Sequence, residues 1–195
     1  MRENEAYSII RENFLANETY THLAILPDDL IVTQYHWHQL IEDIREYDFP
    51  VVCGLCNLDQ SAEHKGMLNV CINHLPSREA YLRTYEWIME GSAEHKALLA
   101  KTPPIIKVKF AGFPFMFMRR DVVETVSFAD DYEWNHYKLM GCCVDVIFCL
   151  DCHEQDIPIY CDLRCQMIHL KIDDVRVEGK KVDILPKHVY FSNAK

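Results

Sequence analysis

The sequence predicts an α/β fold in which strands and helices alternate along one layered domain. An apolar run at residues 20–26 is followed by helical spacing over 33–46 and by a second apolar run at 50–55. Strands and helices joined by short connections are typical of layered α/β folds, whose parallel strands carry polar residues at their carboxyl ends. With 195 residues and 49% apolar side chains, the chain has enough apolar surface for one sizeable core.

The first elements follow from apolar spacing. Residues 3–16 predict an amphipathic helix, with apolar side chains at Ala6, Ile9, Ile10, Phe14 and Leu15. The run 20–26 is bounded by Pro27 and an acidic pair, which predicts a buried strand that ends at carboxylates. In the helix 33–46 the inward side chains are Trp37, Leu40, Ile41 and Ile44.

The middle of the chain predicts an insertion and a bent pair of strands. Two helical pieces fill residues 76–100, with a break at Gly91-Ser92 and a stop signal at 102–104, and we interpret 76–104 as an insertion or lid. Two strand-like runs then occupy 105–118 around Gly112, where a glycine permits a bend or the close approach of a ligand.

The last part predicts two helices, two strands and a terminal hairpin. The predicted helices are 121–126 and 144–155, and the strands are 158–160 and 165–170. Alternation over 175–184 around Glu178-Gly179 predicts the hairpin. We therefore divide the chain into a domain of residues 1–172 and a C-terminal hairpin and tail, 173–195.

The charge and hydropathy patterns exclude several classes of partner. The formal net charge is -10 and no basic cluster is longer than Arg119-Arg120 or Lys180-Lys181, so we expect no nucleic-acid partner. The electrostatic field of this negative net charge would repel an anionic substrate unless a divalent cation neutralised the substrate's binding site. No apolar run reaches the roughly 18 residues of a membrane span. The start of the chain is too polar for a signal peptide, so we expect no transmembrane segment and a cytoplasmic location.

The nine cysteines allow two interpretations. The pairs Cys53-x-x-Cys56 and Cys149-x-x-Cys152, with Cys161 and Cys165 after them, are compatible with a tetrahedral zinc site. However, the pairs lie far apart and lack the knuckle glycines of zinc ribbons. Buried, reduced thiols are therefore the favoured interpretation.

Three polar positions stand out against apolar surroundings. Asp28-Asp29 directly follow a buried strand, where carboxylates can bind Mg²⁺ or Mn²⁺ or simply cap the next helix. Asp145 lies in the apolar stretch CCVDVIFCL, and it is either a general base or a core carboxylate whose hydrogen bonds are satisfied. His169 lies in the segment QMIHLK, and it is either a metal ligand or a hydrogen-bonded core residue.

The order of these motifs resembles the family-2-like GT-A glycosyltransferases. The segment IIRENFLANETYTHLAILPDDLIV is similar to the family's helix with an arginine–asparagine pair, followed by the strand that ends in the DXD metal motif. The pair falls on Arg11 and Asn13, with one residue inserted between them. The last two motif positions fall on Asp28 and Asp29, and the first falls on Pro27, which departs from the family pattern.

Two later segments extend the resemblance over residues 6–172. AGFPFMFMRRDVVETV is similar to the family's glycine-containing strand and the helix after it, with Gly112 and Arg119 in it. VDVIFCLDCHEQDIPIYCDLRCQMIHLK is similar to the block that bears the catalytic base and a late histidine, here Asp145 and His169. The acidic neighbours of the base are replaced by Val144 and Ile147. The chain also starts after the strand, helix and strand with which family members begin.

The resemblance implies a GT-A-like three-layer α/β/α fold with a mixed, mostly parallel sheet that lacks the family's first strands. It implies that Asp29, Asp28 and His169 bind Mn²⁺ or Mg²⁺ and that Asp145 is the catalytic base of an inverting transfer. The residues implied for donor or acceptor binding are Arg11, Asn13, Gly112 and Arg119. The implied partners are a nucleotide-sugar donor and a glycan, lipid or protein acceptor. The alternative is a non-catalytic or fragmentary GT-A-like binding module that has lost donor binding.

Overall fold

The structure is a computed structural model that describes residues 3–27, 29–57, 66–73, 87–126, 128, 143–170, 176–178 and 181–183. Its helices are α1 (Glu3–Leu15), α2 (Gln34–Tyr47), α3 (Ala93–Leu99), α4 (Arg120–Thr125) and α5 (Cys143–Glu154). Its strands are β1 (His22–Ile25), β2 (Leu30–Ile31), β3 (Val51–Cys56), β4 (Met67–Cys71), β5 (Trp87–Met89), β6 (Ile105–Val108), β7 (Phe110–Ala111), β8 (Met116–Arg119), β9 (Ile159–His169), β10 (Arg176–Glu178) and β11 (Lys181–Asp183).

The main sheet is mixed, and its strand order is β1-β8-β3-β9-β2, with β6 also paired to β9. The prediction of an α/β fold with a mixed sheet is confirmed. The prediction that this sheet is mostly parallel is wrong, because among the described pairings only β3 with β9 is parallel. The reason is that β8 lies antiparallel between β1 and β3, so these two strands share a direction without touching.

This topology still brings three carboxyl ends to one edge of the sheet. Both β1 and β3 run antiparallel to β8, and β9 runs parallel to β3. The carboxyl ends of β1, β3 and β9 therefore point the same way, toward the segments that begin at Leu26, Asn57 and Leu170. We call this the carboxyl edge. Strand β8 runs the opposite way and ends at Arg119, at the other edge.

The strand β3 is apolar throughout because both of its faces are buried. Val51, Cys53 and Leu55 belong to one apolar cluster with α4 and α5, whereas Val52 and Cys56 belong to a second cluster with Leu40 of α2. A strand covered on both faces reads as a continuous apolar run rather than as an alternation. The prediction of a buried strand at 50–55 is confirmed for this reason.

A second sheet has the strand order β5-β4-β7, and its strand β5 lies in the region predicted to be a helical insertion. Residues 87–89 are a strand and not part of a helix, because Trp87 pairs with Cys71 and Ile88 is buried. The second predicted helical piece is confirmed as α3, and the Ser92 side chain caps it by accepting from the His95 N–H at 3.0 Å. Residues 76–86 lie outside the described residues, and the role of 76–104 as a lid stays a prediction. Strand β4 was not predicted.

The later helices agree with the prediction, whereas β9 differs from it. Helix α5 and the hairpin β10-β11 lie where they were predicted. The two strands predicted at 158–160 and 165–170 are one continuous strand, Ile159–His169. The middle of this strand was not predicted because Asp162 and Arg164 interrupt its apolar pattern, and a charged pair rarely lies within a buried strand. No helix in the described part of the chain is long and apolar enough to cross a membrane.

The seven described cysteine side chains are buried and reduced: Cys53, Cys56, Cys71, Cys149, Cys152, Cys161 and Cys165. Burial raises the pKa of Cys152 to about 12 and also raises the pKa of Cys149. The Cys149 and Cys152 thiols are therefore protonated near neutral pH and unreactive. The interpretation of these residues as buried thiols is confirmed.

Candidate functional site

The carboxyl edge brings Asp29 and His169 into direct contact. Strand β2 follows Asp29 and pairs with the end of β9, so that Leu30 lies opposite His169. The Leu170 N–H donates to the Asp29 carbonyl at 2.7 Å, which extends this pairing by one residue. The ladder thus places two side chains 140 positions apart in sequence next to each other.

Both ring nitrogens of His169 face oxygen acceptors. Nε2 lies 2.7 Å from Oδ2 of Asp29, and Nδ1 lies 3.1 Å from the Asn57 carbonyl oxygen. A backbone carbonyl only accepts, so the hydrogen of that bond is on Nδ1, and Nε2 is directed at the carboxylate. The His169 side chain is 16% exposed and that of Asp29 is 45% exposed. The Asn57 carbonyl therefore holds the His169 ring on the side away from Asp29, and the Asp29 carboxylate is partly exposed to solvent.

A polar frame surrounds this pair. The Glu90 carboxylate accepts from Asn57 Nδ2 at 2.9 Å and from Gln166 Nε2 at 2.9 Å, and thereby joins the turn after β5 to the ends of β3 and β9. Sequence reasoning missed Asn57, Glu90 and Gln166. The signal for Asn57 was present, because it follows the apolar run 50–55 in the same way as the acidic pair follows 20–26.

Asp145 and Gly112 form the second part of the candidate site. Asp145 lies in the first turn of α5, half-buried, and its Oδ1 accepts from the Val146 N–H at 2.8 Å. Its Oδ2 lies 3.4 Å from the position that a Cβ on Gly112 would take. The absence of a side chain at Gly112 therefore leaves space directly beside the carboxylate.

The buried Asn69 joins the two parts of the site. The Gly112 N–H donates to the Asn69 carbonyl at 2.9 Å, and the Cys56 N–H donates to Asn69 Oδ1 at 2.8 Å. Cys56 immediately precedes Asn57, whose carbonyl holds His169. Backbone and side chain of Asn69 thus connect the Gly112–Asp145 pair with the end of β3.

Three residues implied for donor or acceptor binding are not brought to the carboxyl edge. Arg119 ends β8 at the opposite edge, where it bonds both oxygens of Asp121 at 2.7 Å and Oδ2 of Asp48 at 3.1 Å. Arg11 donates to the carbonyls of Val123 and Glu124 at the end of α4. Asn13 is exposed on α1. Arg11 therefore joins α1 to the end of α4, and Arg119 joins the end of β8 to the end of α2 and the start of α4.

The donor set at the carboxyl edge fits a hard divalent cation in part. Carboxylate and imidazole both bind Mn²⁺, and the Asn57 carbonyl supplies the outer contact that orients a ligating histidine. Adjacent ligands of an octahedral ion with bonds of about 2.1 Å lie about 3 Å apart, so the 2.7 Å contact would open by a few tenths of an ångström. Asp28 lies outside the described residues, and within the described part of the chain no three His, Cys, Asp or Glu side chains form a metal-binding group. Water and substrate phosphates commonly complete such a site.

The fold and the site thus define an α/β protein with a mixed sheet and a polar carboxyl edge. No protein-family model matches the chain, and no curated protein sequence matches it. Among solved structures it is similar to A197 from STIV, with 19% sequence identity, 87% of this chain and 68% of that chain covered, and a TM-score of 0.52. At this identity the similarity concerns the fold alone.

Proposed function

We propose that the chain is the catalytic part of a GT-A-type glycosyltransferase that moves a sugar from a nucleotide-diphosphate sugar to an acceptor hydroxyl. The observation that carries the proposal is the contact between Asp29 and His169 at the carboxyl edge. These are two of the positions that the motif resemblance assigns to the metal. Ligands of open α/β sheets collect at this edge, where side chains from several strands converge.

Asp29 and His169 would hold Mn²⁺ or Mg²⁺, with the Asn57 carbonyl keeping the ring in place. The bound ion would neutralise charge on the diphosphate leaving group. Asp145 would accept the proton of the acceptor hydroxyl as that oxygen attacks the anomeric carbon from the face opposite the leaving group, which inverts the configuration. The space that the missing side chain of Gly112 leaves beside the carboxylate would give the hydroxyl access to it.

The second candidate function is a GT-A-like binding module that has lost donor binding. It is favoured by the engagement of Arg11 and Arg119 within the fold, which leaves these guanidinium groups bonded away from the carboxyl edge. A nucleotide diphosphate needs compensating positive charge, and the chain has a net charge of -10. The two candidates differ in whether nucleotide binds at all.

The proposal predicts that a nucleoside diphosphate and Mn²⁺ together raise the free energy of unfolding. At a ligand concentration of about 100 times the dissociation constant, the expected gain is roughly 2.7 kcal/mol. A panel of nucleoside diphosphates, each with and without Mn²⁺, would be compared by urea unfolding. The nucleotide that gives the largest shift identifies the base of the donor.

Two variants make this experiment specific. Asp29→Ala is expected to abolish the joint effect of metal and nucleotide, whereas Glu18→Ala, at an exposed position on another part of the surface, is expected to keep it. If no nucleotide changes the stability of the wild-type protein, the transferase proposal fails and the module without donor binding is the better account.

A further inference from the structure

Two aspartates and an arginine form a charged cluster between α2 and the middle of β9. Asp162 of β9 is 0% exposed and Asp43 of α2 is 2% exposed. The Arg164 side chain, also of β9, is one-third exposed. Ionised carboxylates are removed from water at a large cost unless charges and hydrogen bonds compensate them.

The Arg164 guanidinium donates to both carboxylate oxygens of Asp162 but to only one oxygen of Asp43. Its Nε lies 2.9 and 3.0 Å from the two Asp162 oxygens, and its Nη2 lies 2.8 Å from Asp162 Oδ2 and 3.0 Å from Asp43 Oδ1. Gln39 also donates to Asp43 Oδ1, at 3.4 Å. The other oxygen, Asp43 Oδ2, is buried and accepts no hydrogen bond from the described part of the chain.

The charge count of the cluster is uneven. Two carboxylates face one guanidinium, which leaves one negative charge in a buried position. Among the described residues, the other titratable groups within electrostatic reach are Tyr35 and Tyr47 of α2 and Cys161 and Cys165 of β9. None of these can carry a positive charge. The cluster therefore lacks one unit of positive charge.

One proton on Asp43 would neutralise the excess negative charge and would also give the unbonded Asp43 oxygen a hydrogen bond. Asp43 Oδ1 and Asp162 Oδ2 share the Nη2 of Arg164, so the two carboxyl groups lie next to each other. Two ionised carboxylates offer only acceptors, but a protonated Asp43 has an O–H that can donate to Asp162. Burial, the hydrogen bond with Asp162 and repulsion from its charge raise the pKa of Asp43 to about 7.

We propose that Asp43 and Asp162 hold one proton between them in the folded protein, and that its release loosens the packing of α2 against β9. Release restores a buried net negative charge and removes the hydrogen bond between the two carboxyl groups, which adds to the Arg164–Asp43 contact between the strand and the helix. Helix α2 follows Asp29 through β2, so that a movement of α2 reaches the carboxyl edge. The proposal does not depend on glycosyl transfer.

The proposal fixes the sign of the pH dependence. Unfolded Asp43 ionises near its ordinary pKa of 3.8, whereas the folded protein keeps the proton up to a pKa of about 7. Between these values the folded state binds more protons than the unfolded state, so stability falls as the pH rises through this window and levels off above it. One proton corresponds to about a tenfold rise in the unfolding equilibrium constant per pH unit.

The variant Asp43→Asn tests the shared proton. Asparagine has the shape of a protonated aspartate, and its amide N–H can donate to Asp162 at every pH. Urea unfolding between about pH 5 and about pH 8 is expected to show the falling stability in the wild type and a flatter profile in the variant. At the alkaline end the variant is expected to be the more stable protein.

Matched measurements keep the test decisive. Glu42→Gln, a 64% exposed carboxylate one residue earlier on α2, is expected to keep the wild-type slope. If Asp43→Asn also keeps that slope, the shared proton is wrong. In the wild type, NMR titration of the aspartate carboxyl carbons is expected to find one that protonates near neutral pH, and its absence would overturn the proposal whatever the variant does. Amide exchange in residues 40–44, corrected for intrinsic pH dependence, should accelerate above neutral pH, and unchanged protection would overturn the loosening of α2.

Discussion

Gly54→Ala is expected to lower the free energy of unfolding by at least about 3 kcal/mol, at the upper end of the usual cost of overpacking a core. A Cβ at this position would lie 2.4 Å from the Cys165 carbonyl oxygen and 2.6 Å from Cε of Met167. The methionine end can move, but the carbonyl belongs to the backbone of β9. The clash is therefore relieved only by separating β3 from β9.

The measurement for Gly54→Ala is urea unfolding, with Gly91→Ala as the control. Gly91 has a φ of +70° but no atom within 4 Å of an added Cβ, so its substitution should cost only about 1 kcal/mol of backbone strain. If the two variants lose the same stability, β3 and β9 do not approach as closely as the structure describes.

The close approach at Gly54 also matters for the site. Strands β3 and β9 carry Asn57 and His169 at their ends, and the register shifts between Cys53 and Leu55. The contact between the Asn57 carbonyl and the His169 ring depends on this register. A variant of Gly54 that still folds should therefore also weaken the metal-dependent binding of nucleotide.

The sequence predicted the elements whose burial follows a simple period. Helices α1, α2 and α5 were found because one face of each is apolar, and β3 because both of its faces are. The direction of the strands could not be predicted in this way. Whether β8 runs with or against its neighbours depends on the path of the chain between sheets, which leaves no periodic signal in the residues.

The candidate site was predictable where a polar side chain follows or interrupts an apolar run. Asp29 was found because it follows such a run, and His169 because it lies among apolar neighbours, and the structure brings them together. Arg11 and Arg119 were assigned to ligand binding by motif position alone. Their actual contacts are with carbonyls and carboxylates of distant segments, such as Asp48, 71 positions away from Arg119. Such long-range partners are invisible to local patterns.

Strand β9 illustrates why a buried charge misleads sequence analysis. Asp162 and Arg164 interrupt its apolar pattern, and the prediction divided the strand there. In the structure the strand continues, because Arg164 pairs with Asp162 two residues away and with Asp43 on a different element. A buried strand can carry such charges only when a partner elsewhere in the chain compensates them. The sequence does not show that α2 packs against this strand, so Asp43 could not be predicted as that partner.

The second large effect is expected for Asp145→Asn, which should lower the rate of sugar transfer by about 10² to 10⁴. Asparagine keeps the shape of the side chain and can still accept from the Val146 N–H through its oxygen. What it loses is the ability to take a proton. Loss of a negative charge from the first turn of α5 should cost only about 0.3–1 kcal/mol of stability.

The assay for Asp145→Asn is the release of nucleoside diphosphate from nucleotide sugars that carry the base found by the stability panel. Glu154→Gln, an exposed carboxylate on the same helix, is expected to retain the wild-type rate. Gly112→Ala adds a steric test, because its Cβ would meet only ordinary contacts, the nearest at 3.4 Å from Asp145. This variant should fold normally and still slow the reaction, since the methyl group fills the space in front of the carboxylate.

The opposite result for Asp145 has a definite meaning. If Asp145→Asn loses several kcal/mol of stability but keeps its rate per folded molecule, the carboxylate is structural, with a role like that of Asp162. If the variant is stable and nucleotide still binds, but neither it nor the wild type releases product, the carboxyl edge binds its ligand without turning it over. That result would leave the Asp29–His169 pair as a binding site and remove Asp145 from any catalytic role.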